Sequence, residues 1–244
     1  MKDTKQVKEE GNPWVSFSDI MTGLMVIFMF IAITYIVEIQ RKQAERDEIL
    51  KEFMQTREEL YMELDSTFYD KFEEWGVIFD RDLSIKFINP EVLFRSGKTR
   101  IRTRFRKILD EFLPAYFNIL LKPQYRDKIV EVRIEGHTDT VPAYEYDRDP
   151  YVGNVLLSQM RATAVLRYFR EMEYFKNLSP EDRRTVQFWL TANGLSYGRT
   201  IDANKNLTYY SGLPADNRLS RRVEFKLVPS SESLVEKVFT MINK

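Results

Sequence analysis

The stretch Trp14-Val-Ser-Phe-Ser-Asp-Ile-Met-Thr-Gly-Leu-Met-Val-Ile-Phe-Met-Phe-Ile-Ala-Ile-Thr-Tyr-Ile-Val37 carries one charge, Asp19, and none from Ile20 to Val37. A bilayer core takes about 20 predominantly apolar residues as a helix, so the run is long enough to cross. Trp14 and Tyr35 stand where interfacial aromatics are expected. A signal peptide is the competing reading, but its apolar core is shorter, about 7–15 residues, and it ends at a small-residue cleavage site. Here a charged segment, residues 38–47, follows instead. An uncleaved single-pass anchor at 14–37 is therefore expected. Lys2, Lys5 and Lys8 before the span balance Arg41, Lys42 and Arg46 after it, so charge alone does not orient it.

Asp19 is the informative residue of this segment. A carboxylate inside an apolar span costs ~2.5–3.5 kcal/mol on insertion scales, and such residues usually face a protein interior or a water path. Placed there, it can load and release an ion. The plainer alternative is a shallow Asp19 that caps the helix start beside Ser18. Met21, Gly23 and Met25 let another helix approach closely. One helix cannot enclose an ion path, so an ion-carrying Asp19 implies a multi-span partner.

The remaining composition is that of an ordinary folded chain. Among 244 residues, 37 Lys and Arg balance 37 Asp and Glu, and 43% are hydrophobic. Wholesale disorder and a strongly basic nucleic-acid surface are thereby argued against. There is no cysteine, which excludes disulfides, thiolate metal sites and thiol catalysis. The one histidine, His137, excludes a multi-histidine centre. Ser158 and Ser196 have no second histidine to activate them, and no phosphate loop is present. Neither an enzyme, a cofactor nor a metal site is expected.

Residues 38–67 are rich in Glu, Arg, Lys, Gln and Leu without Gly or Pro, a helical composition. A heptad frame places Ile39, Phe53 and Leu60 at one core position and Leu50 and Leu64 at the other, interrupted by Gln43, Arg46 and Arg57. Two readings stay open, a solvated connecting helix and a short dimeric coiled coil. Residues 68–229 read as a compact α/β domain, an α/β sandwich with helices on one face. A hairpin is expected across residues 80–82. A helix over about 101–121 should kink or break at Pro114. Strands are expected at 129–135, 186–192 and 223–227, with a helix over about 157–169 between the first two. Residues 230–244 read as a short amphipathic helix.

Four pieces then fall in order. Ile134-Glu-Gly-His-Thr-Asp139 follows a strand, and Asn154-Val-Leu-Leu-Ser-Gln-Met-Arg-Ala162 opens a helix. Gly194-Leu-Ser-Tyr-Gly198 comes next, and Asn217-Arg-Leu-Ser-Arg-Arg-Val-Glu-Phe225 leads into the last strand. Together they resemble the OmpA-like peptidoglycan-binding domain over about residues 75–228. Ser18-Asp-Ile-Met-Thr-Gly-Leu-Met25 is similar to the stator signature of MotB-like subunits, and an anchor followed by such a domain is the MotB architecture. Within that group the compact linker resembles the B subunits of Zorya anti-phage defence systems. The segment between Asp139 and Asn154 is longer and more aromatic than the family pattern.

The resemblance implies a stator-like motor subunit that carries ions on Asp19, expected to be protons with sodium the other candidate. It implies an inner-membrane protein with a cytoplasmic tail at 1–13 and a periplasmic C-terminal domain. The implied partners are a MotA-like multi-span A subunit, as a pentamer around two B chains, a second copy of this chain, and peptidoglycan. A flagellar stator subunit and a passive membrane-to-wall tether are the alternatives. At the wall site, Asp139 would take an ammonium and Arg161 a carboxylate of the stem peptide, with Asn154 and the Thr138 backbone orienting it. The plain alternative is a structural Asp139–Arg161 salt bridge. His137 is expected to be a buried, hydrogen-bonded core residue, and Arg221 and Arg222 to brace the fold.

Overall fold

The structure, a computed structural model, describes residues 13–230; the expected tail at 1–13 and helix at 230–244 lie outside them, save Pro13 and Ser230. Helix α1 runs unbroken over Pro13–Trp75. Its first part offers an 18-residue window of mean hydropathy 2.5, none of it buried, long and apolar enough to cross a membrane. The side chains of Phe17, Ile20, Met25, Ile27, Phe28 and Phe30 are all more than half exposed, an apolar sleeve that the other described residues leave uncovered.

The chain divides into two compact units at Phe53 and Met54. The second unit takes in the last turns of α1 from Met54, fourteen residues earlier than the expected start at 68. Leu60, Leu64, Phe68 and Trp75 are buried at spacings of about one and two turns. Polar contacts fix the same stretch: Lys122 and Tyr125 both donate to Glu63, the latter at 2.8 Å, and Arg81 reaches Glu58 at 2.8 Å while lying over the Tyr61 ring. This corrects the heptad frame. Leu60 and Leu64 are consumed by their own domain, whereas Ile39 and Leu50 stay exposed. Gly76 then stops the helix with φ +66°, a left-handed conformation that glycine adopts freely.

Five strands follow: β1 (Val77–Phe79), β2 (Ser84–Phe87), β3 (Ile129–Gly136), β4 (Leu190–Gly194) and β5 (Val223–Pro229). They form one sheet in the order β1-β2-β5-β3-β4, antiparallel except for the β3–β4 pair. Alternation assigns the faces. Ile85 and Phe87, Val132 and Ile134, and Val223, Phe225 and Leu227 point into the core. Lys86, Glu135 and Glu224 line the opposite face, with Glu135 directly across from Glu224 and Glu224 across from Lys86.

Nine helices are described in all. α2 (Pro90–Leu93) and α4 (Pro123–Arg126) are single turns flanking α3 (Thr103–Leu120). α5 (Pro150–Glu171), α6 (Glu173–Asn177) and α7 (Pro180–Trp189) carry the chain from β3 to β4, and α8 (Thr208–Ser211) and α9 (Asn217–Ser220) precede β5. α3 passes through Pro114 without breaking. The proline removes the bond to the Asp110 carbonyl, but Asp110 is exposed, so water can satisfy it. Phe105, Phe112, Tyr116 and Phe117 from α3 meet Phe87, Phe225 and Phe169, mostly edge-on or tilted with Phe117 stacked on Phe169, to make the aromatic centre of the core.

The expected strand at 186–192 is mostly helix. Ser179 caps α7 through the Asp182 N–H at 3.0 Å, Pro180 opens it, and Glu181 and Asp182 suit its first turn. Val186 and Trp189 then share the buried side, while Phe188 is 73% exposed, a helical and not a strand pattern. Only residues 190–194 are extended.

Candidate functional site

Glycine lets helix α5 lie directly on the sheet. Gly136 and Gly194 are register partners on β3 and β4. A Cβ on Gly136 would meet the Ser158 carbonyl at 2.2 Å, and one on Gly194 the Gln159 N–H nitrogen at 2.4 Å. Gln159 seals the contact, accepting from the Gly194 N–H at 2.8 Å and donating to the Ala192 carbonyl at 2.9 Å. This close seat brings Asn154, Ser158 and Arg161, one face of α5, to the end of β3 where His137, Thr138 and Asp139 emerge. α5 itself begins at Pro150, capped by Asp149 through the Tyr151 and Val152 N–H groups. The end of the lengthened 140–153 segment is therefore the first turn of a helix.

The buried Asp139 carboxylate is held by Arg221, which donates at 2.8 Å, and by the Val141 N–H at 3.2 Å. Arg161 makes no ion pair with it. Its guanidinium donates to the Lys98 carbonyl at 3.0 Å and the Arg95 carbonyl at 3.4 Å, and lies 5.2 Å from the Phe94 ring centre. The expected structural salt bridge is thus made by Arg221, and Arg161 holds the 95–98 turn. Burial pulls the Arg161 pKa down to about 10, with Tyr146 and Asp139 opposing the shift, so it stays charged at neutral pH.

Asn154 donates to the Val141 and Pro150 carbonyls, both at 3.0 Å, and pins the lengthened segment. The Thr138 N–H is taken by the Ser196 carbonyl at 3.0 Å. What both residues leave over are acceptors: Asn154 Oδ1 and Thr138 Oγ1 are buried without a hydrogen-bond partner. A cavity of about 160 Å³ is lined by Glu91, Phe94, Ser96, His137 and four arginines, Arg102, Arg161, Arg221 and Arg222. Four guanidinium groups converge on it, so it suits an anionic group such as a carboxylate.

His137 is buried as expected, 1% exposed, but neither ring nitrogen has a hydrogen-bond partner. Its Nε2 lies 3.6 Å from Glu135 and 3.5 Å from Glu224. Arg222 braces this cluster, donating to Glu224 at 3.3 Å and to the Arg199 carbonyl at 3.1 Å.

Asp19 sits six residues after Pro13, about 9 Å along the helix at 1.5 Å per residue. It is therefore an interior residue of α1, not its cap.

A profile of the OmpA family matches residues 93–208. The Zorya protein ZorB of Escherichia coli is 33% identical over 239 residues, spanning 97% of this chain and 96% of that one. The chain belongs to the ZorB family. Among solved structures, the periplasmic domain of MotB (residues 64–256) has a TM-score of 0.41 at 18% identity, covering 66% of this chain and 69% of that one. The periplasmic domain of Helicobacter pylori MotB (residues 90–256) has a TM-score of 0.42 at 17% identity, covering 66% and 82%.

In this ZorB-family chain, the residues that sequence reasoning missed come from 90–102, whereas Arg221, expected to brace the fold, does so on Asp139. The signal for the first was the basic run Arg95, Lys98, Arg100 and Arg102 beside the turn glycine Gly97, which has φ +66°. For Arg221 the signal was its place just before β5, whose register with β3 sets it beside Asp139.

Proposed function

We propose that the chain is the ion-carrying, wall-anchoring subunit of a membrane motor of the Zorya anti-phage kind. The carrying observation is Asp19: a carboxylate well inside an exposed apolar helix, joined in one chain to a domain of the OmpA family. A passive tether has no use for such an acid. α1 spans the inner membrane with its N-terminus cytoplasmic. A multi-span A-type subunit, in a ring of five around two copies of this chain, encloses the ion path. Asp19 takes a proton from one side and yields it to the other, and the second compact unit holds peptidoglycan while the partner moves. One charge crossing 100 mV releases ~2.3 kcal/mol, enough for a conformational step. The role is mechanical and not catalytic.

At the wall site, the stem peptide's carboxylate enters the arginine-lined cavity toward Arg161. Its ammonium competes with Arg221 for Asp139, and Asn154 Oδ1 and Thr138 Oγ1 accept its remaining N–H groups. The test is phage plating on cells expressing the full system at native level. Asp19→Asn and Asp139→Ala should each abolish protection while leaving the amount of chain in the membrane unchanged. Protection by well-expressed Asp19→Asn would remove the ion-carrier role, and protection by Asp139→Ala the anchoring role.

A further inference from the structure

Glu135 and Glu224 face each other across the β3–β5 register, an arrangement that like charges disfavour. Both are almost fully buried, and His137 is set between them. His137 Nδ1 and Nε2 and Glu135 Oε2 have no hydrogen-bond partner. One ligand atom from each of the three residues falls within a triangle whose corners are at most 4.8 Å apart. Hydrogen bonding does not explain this geometry, because 3.5–3.6 Å from Nε2 to the carboxylates is too long for a good bond. Zinc with bonds of about 2.0–2.1 Å in tetrahedral geometry sets its ligand atoms roughly 3.3–3.4 Å apart. The two edges from His137 already approach that length.

We propose that Glu135, His137 and Glu224 form a three-ligand site for a divalent transition-metal ion, zinc being the best fit. Two carboxylates and one imidazole are a donor set that zinc accepts, with a fourth position left for water. Binding needs the carboxylate–carboxylate edge to contract slightly. The ring is available as a ligand because neither of its nitrogens is engaged in a hydrogen bond. His137 also lines the neighbouring cavity, which leaves space for a water as fourth ligand.

Two guanidiniums stand against the ion, and so does Lys86, across from Glu224 but paired with Asp80. Arg222 is buried and fixed by Glu224 and the Arg199 carbonyl. Arg199 is half exposed, with Nη1 3.7 Å from Glu135, so it can turn into solvent when the ion enters. The site is therefore expected to be moderate in affinity and sensitive to Arg199.

The experiment uses the full chain, purified in detergent and stripped with chelator, titrated with zinc alone by calorimetry and followed by thermal melting. The expected result is one zinc per chain, a melting temperature raised by zinc and restored by chelator, and at least tenfold weaker binding in Glu224→Gln. Arg199→Ala leaves all three ligands and the Arg199 carbonyl in place, so it tests the site without risk to the fold. It should tighten zinc binding at least threefold, since removing a neighbouring cation favours a divalent one. Absence of stoichiometric zinc binding by the wild type overturns the proposal. So does an Arg199→Ala affinity equal to or weaker than the wild type's.

Discussion

Asp139 and Arg221 are 2.8 Å apart and Arg161 is turned to two carbonyls, so the three side chains respond to substitution differently. Removing Arg221 leaves a buried carboxylate without its cation, and because the Arg221 side chain is 36% exposed the cost falls below the ~3–5 kcal/mol of a fully buried pair. Arg221→Ala should therefore lower the melting temperature as well as wall binding. Asp139→Asn keeps shape and hydrogen-bonding capacity but loses the charge that attracts an ammonium. It should retain its melting temperature to within a few degrees and lose at least tenfold in retention on purified sacculi. Equal retention by a well-folded Asp139→Asn would show that this carboxylate is purely structural. Glu63 gives a pH test at the same scale. Burial alone would push its pKa up, but hydrogen bonds from Lys122 and Tyr125 outweigh it and hold the group below the ordinary carboxylate range. Its contribution to stability is thus present above its unfolded value, about 4.3, and lost as pH falls through the lowered folded one. The stability gap between wild type and Glu63→Gln should close as pH drops from about 6 to about 3, measured by urea unfolding. A gap that stays constant or widens contradicts the assignment.

At the scale of elements, strong local patterns were legible. The β1–β2 hairpin, the alternation of β3 and β5 and the helical face of α5 follow from spacing that tertiary contacts do not override. What escaped were places where two rules compete. Residues 186–189 are rich in β-formers, yet the Ser179-Pro180-Glu181-Asp182 start signal and the one-sided burial of Val186 and Trp189 make them helix. Pro114 leaves α3 unbroken, and the carbonyl it frees belongs to the exposed Asp110, where water can satisfy it. The heptad leucines of the linker were ambiguous in principle, because an apolar stripe does not say which surface covers it. The Asp139–Arg221 pair joins residues 82 positions apart, which no local pattern reveals. The placement of α1 carries its own prediction. A fragment beginning at residue 54 keeps Leu60 and Leu64 in the core, while one beginning at 68 deletes both. Large core truncations cost about 2–5 kcal/mol each. Residues 68–244 should melt well below 54–244, and equal midpoints would mean that the end of α1 is not part of the folding unit.

For the whole molecule, the zero net charge agrees with a surface that does not rely on bulk electrostatics to find its partners. Its specific chemistry is concentrated in two places, an acid on an apolar helix and a cluster of guanidiniums and carboxylates at the end of the sheet. The uncovered sleeve of α1 calls for neighbours in the membrane, and Gly23, one helical turn on from Asp19 and on the same face, marks the side where one can come close to it. The exposed Ile39 and Leu50 remain free for contact between two copies. Replacing both with Glu should weaken crosslinking of copies in membranes, and unchanged crosslinking would place the dimer contact elsewhere. The central claim is that Asp19 carries the ion, and it is tested most directly by proton flux. The full chain and its A-type partner would be reconstituted together in vesicles with an internal pH dye and an imposed membrane potential. The wild type should acidify the lumen, Asp19→Glu should do so more slowly, and Asp19→Asn should show only the leak of vesicles holding the partner alone. Wild-type flux through correctly assembled Asp19→Asn would contradict the account.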